Sequence, residues 1–347
     1  MDFFYNLLDI KKIKKIDTSK MYSIYDQWSK LALESYENID VKEKPQNVTH
    51  LAICGMGGSG AIGDIISSVL SKENIHVSII KGYTLPTNVD KKTLLIAISI
   101  SGETEETLYA LKQGHEIGCK IIAFSSGGRM EKFCNEKNID FYKLDMINSP
   151  RASFVNFLFP ILNVLEDILK ISKQEIESTL RILETTGRNI GSKNLTNSNK
   201  ALDLAKWLEA TPVIYYPYGL RAAAIRFKNS LQENAKMHVI NEDLIETCHN
   251  GIVSWETRTN NKPVFIRGEN DHPQTKRRWN ILKEYFESNS IPYKEIISEG
   301  DSILSKLINL IYILDYSSIY KAVLLEIDPT PVKSIDFIKQ HYDFHDL

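Results

Sequence analysis

Between residues 49 and 144, short apolar runs alternate with helical stretches, and this alternation constrains the fold more than any other feature of the chain. The runs are Thr49–Cys54, Ile75–Ile80, Leu94–Ser99, Lys120–Ser125 and the weaker Asp140–Leu144. Ala61–Lys72, Glu103–Ile117 and Arg129–Asn138 are the helical stretches between them. Short buried strands separated by helices make βα units and a parallel sheet. Ligands on such sheets bind outside the carboxyl ends of the strands. The Gly and Ser clusters of this chain fall at those ends.

The second half repeats the logic without repeating residues. Pro212–Tyr216, Met237–Ile240, Lys262–Arg267 and Tyr293–Ile297 read as strands, with helices at Ala201–Ala210, Leu220–Lys236 and Thr275–Asn289. A helix over Phe154 to about Thr186 precedes it, and the polar stretch Thr185–Lys200 reads as a linker. The expected architecture is α/β: two α-β-α sandwich domains with parallel sheets, at 41–190 and 191–330. An amphipathic helical lead over 1–40 would act as a packing arm or dimer contact. A long helix, Ser302–Glu326, is followed by a C-terminal helical tail over 331–347.

With 347 residues, two domains are expected, because single cores rarely grow past ~250–300 residues. Lys and Arg number 42 against 44 Asp and Glu, a formal net charge of −2. Without a single-sign field, neither nucleic acid nor an anionic membrane is expected as the main partner. Cys54, Cys119, Cys134 and Cys248 form no CxxC pair, which fits reduced thiols and a cytoplasmic protein. Met1–Lys20 lacks a signal-peptide pattern, and the longest apolar run, near Phe154–Leu165, is too short for a membrane span.

Gly55-Met56-Gly57-Gly58-Ser59-Gly60 follows the first strand and opens a helix. Glycine lets backbone approach a ligand, and a helix start offers amides and partial positive charge to an anion. The spacing also fits a dinucleotide fingerprint, but the acid expected near the end of the second strand is missing: that strand ends Ile79-Ile80-Lys81-Gly82. The third strand runs into Ser99-Ile100-Ser101-Gly102-Glu103-Thr104, where hydroxyls could wrap a phosphate. A serine cap on the next helix is the competing explanation, and Glu103, Glu105 and Glu106 would weaken an anion site unless they point away. Ser125–Gly128 and Asn148-Ser149-Pro150-Arg151 add two more polar loops at the same edge; Arg151 is either a charge over the cleft or an ordinary surface arginine.

Glu233 falls in the last turn of the helix Leu220–Lys236. A carboxylate there faces the negative end of the dipole, at ~0.3–1 kcal/mol, which favours its protonated form and suits a general base working near neutral pH. A solvated surface Glu is the plain alternative. His249 lies beside an Asn-Gly turn and could shuttle protons, although the other seven histidines have equal claim on spacing. No His/Cys/Asp spacing suggests a metal site. Arg258–Asn261 reads as an ordinary loop.

GMGGSG (Gly55–Gly60), SISGET (Ser99–Thr104), SPR (Ser149–Arg151) and the ENAK…HN stretch (Glu233–Asn250) together resemble the sugar isomerase (SIS) fold, and more closely the bifunctional phosphoglucose/phosphomannose isomerases. The likeness runs from about Lys42 to Gln340. It implies two SIS domains and an aldose–ketose isomerase acting on glucose, fructose and mannose 6-phosphates. Ser59, Ser99, Ser101 and Thr104 would hold the phosphate, with Gly57, Gly58 and Pro150 lining it. Glu233 would move a proton between C1 and C2 through a cis-enediolate, Arg151 would stabilise the developing charge, and His249 would help open the ring. A C-terminal lysine assists ring opening; Lys339 fits best, with Lys333 as rival. The family implies a homodimer with shared sites and needs no cofactor and no metal. The rivals are a non-catalytic phosphosugar sensor and an amidotransferase-type isomerase half. The lead is too short for the DNA-binding domain that sensors carry, and no glutaminase domain precedes the chain.

Overall fold

The structure, a computed structural model, describes residues 8–42 and 44–341. Three lead helices come first: α1 (Ile10–Ile16), α2 (Met21–Tyr25) and α3 (Trp28–Glu37). The first unit comprises β1 (His50–Cys54), α4 (Gly57–Val69), β2 (His76–Ile80), β3 (Leu94–Ser99), α5 (Glu105–Ile117), β4 (Lys120–Ser125), α6 (Gly128–Glu136) and β5 (Asp140–Lys143). Helices α7 (Phe154–Val164), α8 (Glu166–Leu169) and α9 (Lys173–Ile190) lead out of it. The second unit comprises α10 (Lys200–Trp207), β6 (Pro212–Tyr216), α11 (Arg221–Asn234), β7 (Ile240–Asp243), α12 (Leu244–Thr247), β8 (Lys262–Gly268), α13 (Pro273–Ser288) and β9 (Lys294–Ser298). Last come α14 (Ile303–Leu324) and α15 (Lys333–Gln340).

The strands form two parallel sheets, ordered β2-β1-β3-β4-β5 and β7-β6-β8-β9. Alternate side chains on each strand feed different cores, as the two-residue period of a pleat requires. In the first sheet Leu51, Ile53, Ile96, Ile98 and Phe124 face inward. Ala52, Cys54, Leu95, Ala97 and Ala123 face outward under α5 and α6. In the second sheet Ile214, Val264 and Ile266 join the same inner core. Val213, Tyr215 and Phe265 pack outward with Trp255, Trp279 and Phe286. One continuous core between the sheets therefore holds α4, α7, α9, α10, α11 and α14.

Helix α14 is apolar on all sides because it is surrounded. By length and composition alone it could cross a membrane, a property the sequence reading overlooked; 94% of its apolar window is buried inside the molecule. Its tyrosines bury their rings and spend their hydroxyls on neighbouring segments, as buried tyrosines must. Tyr320 donates to the carbonyl of Ile190 at 2.7 Å, Tyr316 to Asp26 at 2.7 Å, and Tyr312 to the carbonyl of Tyr25. The lead helices join this core as well. Ile13, Met21, Tyr25 and Ala32 are fully buried, and Trp28 donates to the carbonyl of Ala152 at 3.1 Å. Residues 1–7 and 342–347 of the expected lead and tail lie outside the described residues.

Four readings need correction. The helix expected over Phe154–Thr186 is three helices, broken first at Leu165 and again where Lys170 adopts φ 52°. The expected linker is helical through Ile190, and the rest is held down: Ser192 N donates to Asp26 at 2.9 Å, and Asn199 caps α10. The strand expected at Met237 starts at Ile240, because Lys236 turns the chain at φ 57° and Met237 N still bonds Leu231 O at 3.3 Å. Helix α4 begins at Gly57, inside the glycine motif, four residues earlier than its apolar periodicity suggested.

Candidate active site

Met56 is extended (φ −114°, ψ 156°), and Gly57 opens α4 at φ +53°. No side chain caps that first turn and no acid lies in it, so its amides keep their affinity for an anion. A side chain added at Gly57 would meet open space; one added at Gly58 would face Pro150 O at 3.7 Å and Arg226 Nη1 at 3.8 Å. Pro150 itself is exposed. The motif thus opens to a cleft on one side and abuts the loop after β5 on the other.

The expected hydroxyls gather beside it. Ser59 Oγ accepts from Ile100 N at 3.3 Å, and Ser99 Oγ donates to Thr104 Oγ1 at 3.0 Å. Ser101 Oγ accepts from Glu103 N at 3.3 Å, a local turn bond. Thr104 occupies the N-cap position of α5, yet its side chain makes no capping bond. Ser99 and Ser101 both serve local turns ahead of α5, Ser99 Oγ accepting from Gly102 N at 3.1 Å. The three acids that threatened an anion site are drawn aside. Arg129 donates to Glu103 at 2.7 Å and pairs with Glu105, and Tyr83 donates to Glu106 at 3.3 Å. The Ser125–Gly128 loop is a buttress: Ser125 Oγ closes on Gly127, and Met130 N bonds Gly102 O at 3.0 Å.

Arg151 is not an exposed arginine; it is 6% exposed and fully engaged. Nε donates to Asn234 Oδ1 at 2.7 Å, Nη1 to Glu233 Oε2 at 3.2 Å, and Nη2 to the carbonyls of Pro329 and Thr330 at 2.6 and 2.7 Å. Glu233 therefore faces a guanidinium as well as the negative end of α11, a counter-charge that helix-end reasoning left out. Behind it, Arg226 Nη2 bonds the buried Asp315 at 2.6 Å and the Arg151 carbonyl at 3.0 Å, and its guanidinium lies 3.8 Å from the Phe154 ring centre.

Gly57, Glu233, Lys236, His238, Asp328 and Lys333 line one cleft of ≈ 880 Å³. Burial first, then the nearby Arg151, push the Lys236 ammonium below the usual lysine range. Helix α11 crosses between parallel β6 and β7, so its C-terminus lies at the amino edge of its own sheet. That end meets the carboxyl edge of the other sheet, where Gly57 and Arg151 sit. The first unit obeys the strand-end rule; the second contributes from its opposite end. The Arg258–Asn261 loop lines a hollow at the amino edge of the second sheet, with Glu209, Lys262 and Pro292.

Two expected residues stand apart. His249 is exposed, and among the described residues no hydrogen bond joins its ring to Glu233 or Arg151; His238 is the histidine on the cleft. Lys339 is exposed on α15, whereas Lys333 lines the cleft. The sequence reading missed Lys236, Asn234 and the 328–331 segment, although the first two share the ENAK motif with Glu233. Among the described residues no three His, Cys, Asp or Glu side chains converge on a point.

Residues 46–159 match the SIS domain family, and residues 197–341 match the bacterial phospho-glucose isomerase C-terminal SIS domain. A bifunctional phosphoglucose/phosphomannose isomerase of Caldicellulosiruptor bescii is 33% identical, covering 92% of this chain and 96% of that protein. The chain belongs to this isomerase family. The Aquifex aeolicus protein of the same name is 30% identical over 85% of this chain and 91% of its own length. The C-terminal domain of a glucosamine-fructose-6-phosphate aminotransferase from Francisella tularensis shares the fold, with a TM-score of 0.64 at 14% identity, covering 90% of this chain and 95% of that one. The two family matches fall on the two parallel sheets, and both describe SIS domains.

Proposed function

We propose that the protein interconverts glucose 6-phosphate and fructose 6-phosphate, and mannose 6-phosphate and fructose 6-phosphate. One observation carries the reading: the amide-lined start of α4 and the carboxylate at the end of α11 line the same cleft. The names of the relatives supply the substrates. In this reading the phosphate rests on the α4 amides and on Ser59, Ser99, Ser101 and Thr104. Glu233 takes the C2 proton of the opened aldose and returns it to C1, and Arg151 stabilises the negative charge on the enediolate between those steps.

Ring opening uses His249 and a lysine of α15. The His249 ring is solvent-facing and has no hydrogen-bond partner among the described residues, which supports delivery to a second copy across a homodimer. Position near the chain end favours Lys339, and a place in the cleft lining favours Lys333. Six residues apart on a helix, the two side chains point in different directions. Lys333→Met and Lys339→Met, assayed on cyclic hexose phosphates, separate them: the ring-opening lysine is the one whose loss lowers turnover. The reading places the enzyme in the cytoplasm, in keeping with four unpaired thiols, of which Cys54 and Cys134 are pushed by burial up to about 12.

The deciding experiment is a coupled assay on purified protein with glucose 6-phosphate and mannose 6-phosphate offered separately. Turnover of both supports the reading. Tight binding without turnover would instead make the protein a phosphosugar sensor.

A further inference from the structure

Three consecutive carbonyls, those of Pro329, Thr330 and Pro331, are captured by two cations that flank Glu233. Arg151 takes the first two at 2.6 and 2.7 Å; Lys236 Nζ takes the third at 2.7 Å and also bonds the carbonyl of Glu233. The segment suits this role chemically. Its two prolines lack N–H groups, so it offers acceptors and few donors. At its start, Asp328 accepts from Thr18 at 2.6 Å and from Thr330 N at 3.0 Å.

The segment leads into α15, eight residues long, with no buried side chain; Ile335, Phe337 and Ile338 are 40%, 61% and 63% exposed. A helix so short is marginal by itself, since helices under ~12–15 residues depend on tertiary support. Pro331 O is the last carbonyl before the cap residue of α15, Val332. Its only hydrogen-bond donor among the described residues is Lys236. Lys236 is itself fixed, at φ 57° directly after α11, in the cleft it shares with Glu233.

We propose that Lys236 is a positioning residue for the isomerase reaction: it tethers the 329–331 segment beside Glu233 and thereby sets α15 and its lysine over the cleft. This rests on the isomerase reading above, but the tether itself can be tested without activity. Lys236→Met removes every donor at nearly constant length, and Lys236→Arg keeps a cation and its donors.

With glucose 6-phosphate, Lys236→Met lowers kcat by about tenfold or more and moves KM by less than about twofold, because the phosphate grip lies in the other unit. Amide hydrogen exchange over residues 333–340 accelerates in Lys236→Met, while exchange in β3 and β6 stays slow, which shows the fold intact. Lys236→Arg restores both slow exchange and kcat. Wild-type exchange over 333–340 in Lys236→Met would overturn the proposal. So would an intact kcat with a raised KM, which would make Lys236 a substrate-binding group, or an Arg variant with restored exchange but no restored kcat. A wild-type protein that does not turn over hexose phosphates counts against the isomerase reading, and the exchange measurement then decides the tether alone.

Discussion

The two units build their shares of the cleft from opposite materials. The first relies on backbone and short side chains, with glycines at the start of α4, hydroxyls after β3 and a glycine buttress after β4, and adds one long cation, Arg151. The second relies on long charged side chains at and just after the end of a helix, Glu233 and Lys236. Helices α4 and α11 pack against each other in the inner core, with the start of α4 beside the end of α11 at one cleft. Their other ends meet too, Leu70 and Ser71 lying across a second hollow from Tyr218 and Arg221. The pair is antiparallel, so the positive end of one dipole adjoins the negative end of the other. A dianion suits the first and a proton-carrying carboxylate the second. The division of labour comes from helix direction.

If that contrast is correct, damage to each unit has a different kinetic signature. Glu233→Gln, motivated by the carboxylate's place on the cleft, is expected to lower kcat by about 10³-fold, near the upper range for general acid–base catalysis, with hexose phosphate binding retained by calorimetry. Residual activity close to wild type would remove Glu233 from the chemistry. Gly102→Ala strikes the other side. A Cβ there would lie 1.8 Å from the Gly127 carbonyl, on a residue at φ +73°. It should destabilise the fold by about 3 kcal/mol in chemical denaturation and raise KM with it. A variant as stable as wild type would mean that the buttress is dispensable.

Smaller changes sharpen the comparison. Ser101→Ala combined with Thr104→Ala removes two donors from the phosphate, each worth ~1.5–3 kcal/mol when the partner is charged, so KM should rise by roughly 100-fold or more with kcat little changed. An unchanged KM would move the phosphate elsewhere. The smallest effect is expected from chelator: proton transfer assigned to a carboxylate predicts full turnover in its presence, and a loss restored by zinc or manganese contradicts the assignment.

Legibility differed between the units for the same reason. A loop that binds an anion through backbone demands Gly and Ser at fixed spacing, so Gly57, Ser59, Ser99 and Thr104 stand out as candidates from the sequence alone. A carboxylate such as Glu233 has the same local pattern as many surface acids, so its helix-end position made it a candidate and only its resemblance to a family set it apart from them. Arg151 was misread in part because burial leaves no mark on a loop sequence; its partners lie 82 to 179 positions away. Helix α14 reads as a long helix in the sequence, as found, but its apolar character alone does not say whether protein or lipid surrounds it.

The order of strands and helices, the parallel sheets and the chemistry of the glycine and hydroxyl loops were determined by the sequence, because periodicity and backbone demands are local. The meeting of α4's start with α11's end, the pairing of Arg151 with Glu233 and the capture of carbonyls 329–331 were decided by tertiary structure. Those contacts depend on helix direction and on close packing of segments far apart in the chain, which no local pattern encodes.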